Sequence, residues 1–233
     1  MRVVRSLLIT LAVLCVLFVA VDRLAVTFAE SEAEKRFKAV EGLTVDPEVS
    51  IKGFPFLTQV LGGELDTVHV SAEGMEAGND KGSVRISRFS ADLRGVRLVD
   101  DFQSAVAKSA TGTAQITYAD LNKVAPTGIT AAYAGRDAAT GSGKVKVTVR
   151  VPVLGLKHTV ISRIDVKDGN TISLRAESVP GSGIPGFEQL VRQRIDFSEK
   201  LTDLPSGISL DRASAGPDGV SITVSGRDVP LPG

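Results

Sequence analysis

The sequence predicts an α+β protein in which one apolar N-terminal helix precedes a largely antiparallel β domain. Three observations predict this: a basic flank leading into an unbroken apolar run, a switch from helical to two-residue periodicity at Gly42, and strand-like alternation that recurs to the C-terminus. Alternation, in place of continuously apolar strands, implies a sheet covered on one face, which antiparallel pairing allows.

Arg2 and Arg5 precede an apolar run from Leu7 to Val21 that only Thr10 interrupts. This is the pattern of a transmembrane anchor or an export signal, with the arginines on the cytoplasmic side and the remainder beyond the membrane. Small residues at cleavage spacing occur only at Thr27 and Ala29, so a retained anchor and a cleaved signal both stay open. Cys15 follows Leu14 where lipoprotein processing requires a small residue. As the only cysteine, and lying in the apolar run, it leaves the exported part without an internal disulfide.

From Asp22 to Glu41, Ala25, Ala29, Ala33, Phe37 and Val40 recur at helical spacing, with Glu32 facing Arg36 and Glu34 facing Lys38. Residues 22–42 therefore read as a solvated amphipathic helix that Gly42 stops. The division is an anchor or signal over 1–21, this helix over 22–42, and a β-rich domain over 43–233.

Val45, Pro47, Val49 and Ile51 alternate with charged or polar residues, and Pro47 places this strand at a sheet edge. Val68, Val70 and Ala72 continue the pattern, as do Val84 and Ile86. Phe89, Ala91 and Leu93 follow in shifted phase, which suggests a bulge near Arg88. Lys144 to Val151 is the clearest strand, with four valines on one face. Ile164 and Val166 read as a hairpin with Ile172 and Leu174 across Asp168 and Gly169, and Ile208 and Leu210 as a second with Val220, Ile222 and Val224. Short helices are predicted at Tyr118 to Val124 and Phe187 to Ile195. A junction between two strand-rich halves fits Gly135 to Gly143.

Chemical motifs are sparse. Twenty-seven basic and twenty-seven acidic residues balance, so no field draws nucleic acid. Gly181, Gly183 and Gly186 form a GxGxxG string, but an alternating segment precedes it where a dinucleotide fold needs a buried parallel strand, and it reads as a linker. His69 and His158 stand apart and suggest no zinc site. No nucleophile elbow or phosphate loop occurs, and the chain reads as a binding protein without catalytic residues, cofactor or metal. Lys144, Lys146 and Arg150 form a basic strip, either a plain solvated face or a surface for anionic headgroups.

The informative segment is Gly53 to Val70, GFPFLTQVLGGELDTVHV, which sets Phe54, Phe56, Leu57, Val60 and Leu61 outside any strand alternation. Two readings stay open: a short helix plugging the sheet, or contact with an apolar ligand. Each buried methylene contributes about 0.8 kcal/mol, so an acyl chain of about sixteen carbons would gain roughly 12 kcal/mol before ordering costs. Burial alone can supply such affinity. Val149, Val151 and Leu154 are weaker lining candidates.

The Asp22-Arg23 helix entry, Ala29-Glu30, Pro47-Glu48-Val49, GFPFLTQVLGG and a second Pro-Val-Leu-Gly at Pro152 to Gly155 resemble the LmeA family of actinobacterial envelope proteins. The resemblance implies a tubular lipid-binding (TULIP-like) fold, a strongly curved antiparallel sheet wrapped around a helix to enclose acyl chains, and phospholipid as ligand. It implies work at the membrane in envelope lipid or lipoglycan maintenance, with a membrane mannosyltransferase as a partner that no particular residue here carries over. The rival reading is an envelope scaffold that docks on a membrane protein without holding lipid.

Overall fold

The computed structural model describes residues 2–41, 45–79, 82–99, 104–138, 140–151, 156–179, 187–202 and 204–231. The apolar run and the amphipathic stretch form one continuous helix, α1 (Arg2–Glu41). No glycine or proline occurs between its ends, so nothing in the backbone interrupts it. Gly42, expected to end it, lies outside the described residues.

The strands form two antiparallel sheets, as the alternation requires. The first contains β1 (Glu48–Lys52), β2 (Glu64–Asn79), β3 (Gly82–Val99), β4 (Ser104–Thr117), β10 (Ile208–Ala215) and β11 (Gly219–Leu231), in the order β1-β2-β3-β4-β11-β10. The second contains β5 (Ile129–Arg136), β6 (Gly143–Val151), β7 (Leu156–Lys167), β8 (Thr171–Ser178) and β9 (Phe197–Lys200), in chain order. Three short helices complete the fold: α2 (Phe56–Gly62), α3 (Tyr118–Val124) and α4 (Phe187–Ile195). β1 is an edge strand and Pro47 sits just before it, where a missing donor costs no ladder bond.

Two expectations are corrected. β3 keeps one register with β2 and with β4 through Arg88, with no bulge there. The apolar phase shifts because Val84 and Ile86 lie on one face of the unbroken strand and Phe89, Ala91 and Leu93 on the other. Gly135 to Gly143 does not join two halves but connects β5 to β6, with Arg136 paired to Gly143. The chain instead leaves the first sheet through α3 and returns to it by β10 and β11.

Both expected hairpins form. β7 and β8 turn through Asp168 and Gly169, both at positive φ, and Leu210 pairs with Val224. β10 also lies against β6 and β7, which joins the sheets. Gly143 allows this approach, because a Cβ there would collide with the Ala215 carbonyl oxygen.

The interior divides accordingly. Val49, Val68, Val70, Leu93, Val96 and Val229 of the first sheet pack with Val26 and Phe56, and Ala25, Ala29, Ala33 and Phe37 of α1 close over them. Val145, Val147, Val149 and Val160 form the second cluster with Ile195 of α4 and Ala215 of β10.

Candidate functional site

α1 is fastened to the first sheet by a stripe at every fourth residue: Asp22, Val26, Glu30, Glu34 and Lys38. Four-residue spacing keeps side chains on one helix face. The Leu57 amide donates to Asp22 Oδ1 at 2.8 Å, the Ile51 amide to Glu30 Oε1 at 2.7 Å, and the Val49 amide to Glu34 Oε1 at 3.2 Å. Lys38 pairs with Asp46, and Val26 drops into the core. Four helical residues rise about 6 Å and two strand residues about 6.6 Å, so a helix running antiparallel to β1 keeps step with it. The carboxylates thus satisfy amides on the outer side of an edge strand, groups that would otherwise lack partners.

Beside this polar zipper, Ala25, Ala29, Ala33 and Phe37 rest on the apolar interior. Short alanine side chains leave the helix close to the sheet, so the two separate only if the zipper parts.

α2 closes the end of this interface near Asp22. Gly53 has φ +102°, which strains any residue with a side chain, and a Cβ there would lie 2.5 Å from Gln59 Nε2 and 2.8 Å from Asp66 Oδ2, so these two side-chain ends would have to shift. A cis Phe54–Pro55 bond follows. Gln59 Oε1 accepts the Asp66 amide at 2.8 Å, and Gly63 ends the helix at φ 73°.

The five apolar residues singled out in this segment divide. Phe56 is 6% exposed and belongs to the core, and Leu57 and Val60 are half-buried against it. Phe54 is 59% exposed and Leu61 88%. The Arg23 guanidinium lies 5.2 Å from the Phe54 ring centroid. Phe56 is therefore the plug of the first reading, whereas Phe54 and Leu61 face outward.

Of the weaker lining candidates, Val149 is fully buried in the second cluster, Val151 ends β6, and Leu154 lies outside the described residues. The second Pro-Val-Leu-Gly segment and the GxGxxG string lie outside them too. An open groove of about 710 Å³ occurs at the opposite end of β1 from Phe56, lined by Val45, Asp46, His69, Ser71, Arg88 and Phe89 among others. His69 is not isolated: its Nδ1 lies 2.8 Å from Asp92 Oδ1 across the β2–β3 ladder. Among the described residues, no group of three or more His, Cys, Asp or Glu side chains gathers as a metal site.

The basic strip is also changed by its neighbours. Lys144 Nζ lies 2.7 Å from both Asp137 and Glu177, and Glu177 also holds Arg163 at 3.0 Å. Lys144 is committed to carboxylates and not to headgroups.

Sequence reasoning missed the zipper because it paired Glu34 with Lys38 along the helix. Glu32 and Arg36 do meet at 3.5 Å, but Glu34 and Lys38 turn to the strand. The available signal was the four-residue recurrence from Asp22 to Lys38, opposite an edge strand with two amides to satisfy.

The profile of the LmeA-like phospholipid-binding family matches residues 20–225. The chain belongs to that family. Neither the curated proteins nor the solved structures contain a match. The LmeA-like region begins two residues before Asp22 and takes in the zipper and the strands of both sheets as far as the first half of β11. Its two antiparallel sheets and long N-terminal helix fit a TULIP-like lipid-binding fold.

Proposed function

We propose that this LmeA-like protein is an extracytoplasmic phospholipid-binding protein, held at the membrane by the first half of α1, that takes acyl chains between α1 and the first sheet. The family match over residues 20–225 carries this reading, because it covers the clasped half of α1 together with the sheet beneath it. Residues 3–39 of α1 contain a stretch long and apolar enough to cross a membrane.

Phe56 and its neighbours fill the interior with the protein's own side chains, so entry of a lipid requires α1 and α2 to move. The zipper suits that step. Its bonds are few and polar, and water can replace those of the half-buried Glu30 and Glu34, whereas the apolar faces they hold together are what an acyl chain would cover. Phe54, Phe56, Leu57, Val60 and Leu61 stand at the entrance to that space, whereas Val149 belongs to the second cluster and does not line it. Affinity arises from burial and calls for no catalytic group. Such a protein would carry or hold phospholipid for upkeep of envelope lipids and lipoglycans.

Mass spectrometry of the full chain, purified in a lipid nanodisc of labelled phospholipid and then exchanged into unlabelled nanodiscs, tests the reading. Labelled phospholipid retained at about one per chain supports it. Complete exchange at the rate of bulk lipid overturns it.

A further inference from the structure

Leu61 is the most exposed large apolar side chain among the described residues, and Phe54, also exposed, belongs to the same short segment. Most other large apolar side chains exposed to this degree belong to α1 between Val3 and Phe28. The apolar part of α1 and the outward face of α2 are joined at one point, because Asp22, the first charged residue after the apolar run, holds the Leu57 amide.

Lengths fix where that point lies. The fifteen residues of the apolar run from Leu7 to Val21 rise about 22 Å as α-helix, and with the aliphatic stem of Arg5 reaching back to the cytoplasmic boundary the stretch can span the roughly 30 Å hydrocarbon core of a bilayer with modest local thinning. A helix that fills the core with this stretch places Asp22 and Arg23 at the headgroup boundary. α2, tied to Asp22, is then at the same depth. Leu24 and Phe28 are exposed on the next turns of α1, so apolar surface continues past the boundary there as well. Arg23 is half-exposed over the Phe54 ring, an arrangement in which a cation reaches the headgroups while a ring stays in the apolar margin.

We infer that Phe54, on the turn leading into α2, and Leu61 of α2 form a foot that rests in the interfacial layer of the leaflet from which α1 emerges, so that the closed end of the α1–sheet interface sits on the bilayer. The occupant of this surface is the lipid bilayer itself. The inference rests on membrane anchoring by α1 but not on the capture of a lipid inside the domain.

The chain contains no tryptophan, so a single introduced one reports its own surroundings. The full-length variants Leu61→Trp, Val13→Trp and Phe197→Trp are reconstituted into phosphatidylcholine vesicles carrying a quencher either near the headgroup or near the middle of the acyl chain. Leu61→Trp is expected to be quenched more by the shallow label, Val13→Trp more by the deep one, and Phe197→Trp by neither. Water-like emission and no quenching at Leu61→Trp, with Val13→Trp quenched, overturns the foot and leaves the anchor intact. Loss of quenching at Val13→Trp overturns both. Equal quenching at Leu61→Trp and Phe197→Trp overturns the foot as a specific contact. Lipid retention inside the domain is measured separately on the same variants, so failure of lipid capture is read apart from failure of the foot.

Discussion

Asp22 accepts the Leu57 amide at 2.8 Å while fully buried, and so ties the point where α1 turns from apolar to polar to the first turn of α2. Its second oxygen takes the Arg23 guanidinium at 2.6 Å. One carboxylate therefore sets the position of α2 against the anchor helix. Asp22→Ala removes both bonds and leaves a part-buried amide without its partner. The melting temperature is expected to fall by several degrees, with faster hydrogen exchange at the Leu57 amide. Asp22→Asn retains an acceptor and should lose less. Equal stability of Asp22→Ala and the parent chain would show that the clasp holds nothing.

Glu30 and Glu34 serve the edge of β1 in the same way. Replacing both with alanine removes two charge-assisted bonds at half-buried positions, each worth about 1 to 2 kcal/mol. Exchange protection should drop at the Val49 and Ile51 amides while those of β6 and β7 in the second sheet keep theirs. If the zipper is what gates lipid entry, phospholipid exchange between vesicles by the double variant becomes faster in the same preparation. Unchanged protection at both amides would remove the zipper from the account.

Phe56 and Leu61 are predicted to behave differently, although five residues of sequence separate them. Phe56→Ser empties a core position and should cost about 3 to 5 kcal/mol, enough to confound any binding measurement. Leu61→Ser changes an exposed side chain and should leave the unfolding transition within about 0.5 kcal/mol of the parent. Leu61→Ser is thus the variant in which lost lipid or membrane contact can be read directly. A large destabilisation by Leu61→Ser would mean that α2 packs differently from this structure.

Much of the fold was legible because burial imposes a period. One face of each antiparallel strand is dry, so Val145, Val147 and Val149 could be placed in the core from alternation alone, and the turn at Asp168 and Gly169 from its residue types. The limits of α3 and α4 were equally readable. The site was less so. Side chains of Phe54 and Phe56 are chemically identical, and which one enters the core depends on Gly53 and the turn that follows, not on hydrophobicity. The zipper depends on a partner strand that local pairing rules within a helix do not consider. Arg88 marked a change of face and was read as a bulge, since alternation cannot distinguish an inserted residue from a strand whose covered side changes.

Gly53→Ala tests that local control. At φ +102° an alanine is strained, and its Cβ would crowd Gln59 Nε2, whose side chain holds the Asp66 amide through Oε1. The substitution should destabilise the chain by about 1 to 3 kcal/mol and disorder α2 before the sheet, seen as selective loss of protection at the Gln59 and Asp66 amides. A variant with full protection at both positions would show that the turn tolerates another conformation.

Glu177 supplies a pH signature for the second sheet. The Lys144 ammonium, ahead of the opposing effect of burial, together with Arg163 holds its carboxyl below the ordinary value of 4.5. Lys144 is pushed above its ordinary value of 10.5 by Asp137 and then Glu177, so it remains fully charged at neutral pH. A carboxyl whose value is lower in the folded chain than in the unfolded one contributes stability above the unfolded value, and that contribution disappears as pH falls through the folded value. The network joins the turn after β5 to β6, β7 and β8 through Asp137, Lys144, Arg163 and Glu177, so its loss should loosen the second sheet and spare the zipper. Glu177→Gln is therefore expected to lower the melting temperature at neutral pH, with the gap to the parent closing as the solution is taken below 4.5. A gap that stays constant across that acid range would mean that Glu177 acts through packing and not through its charge.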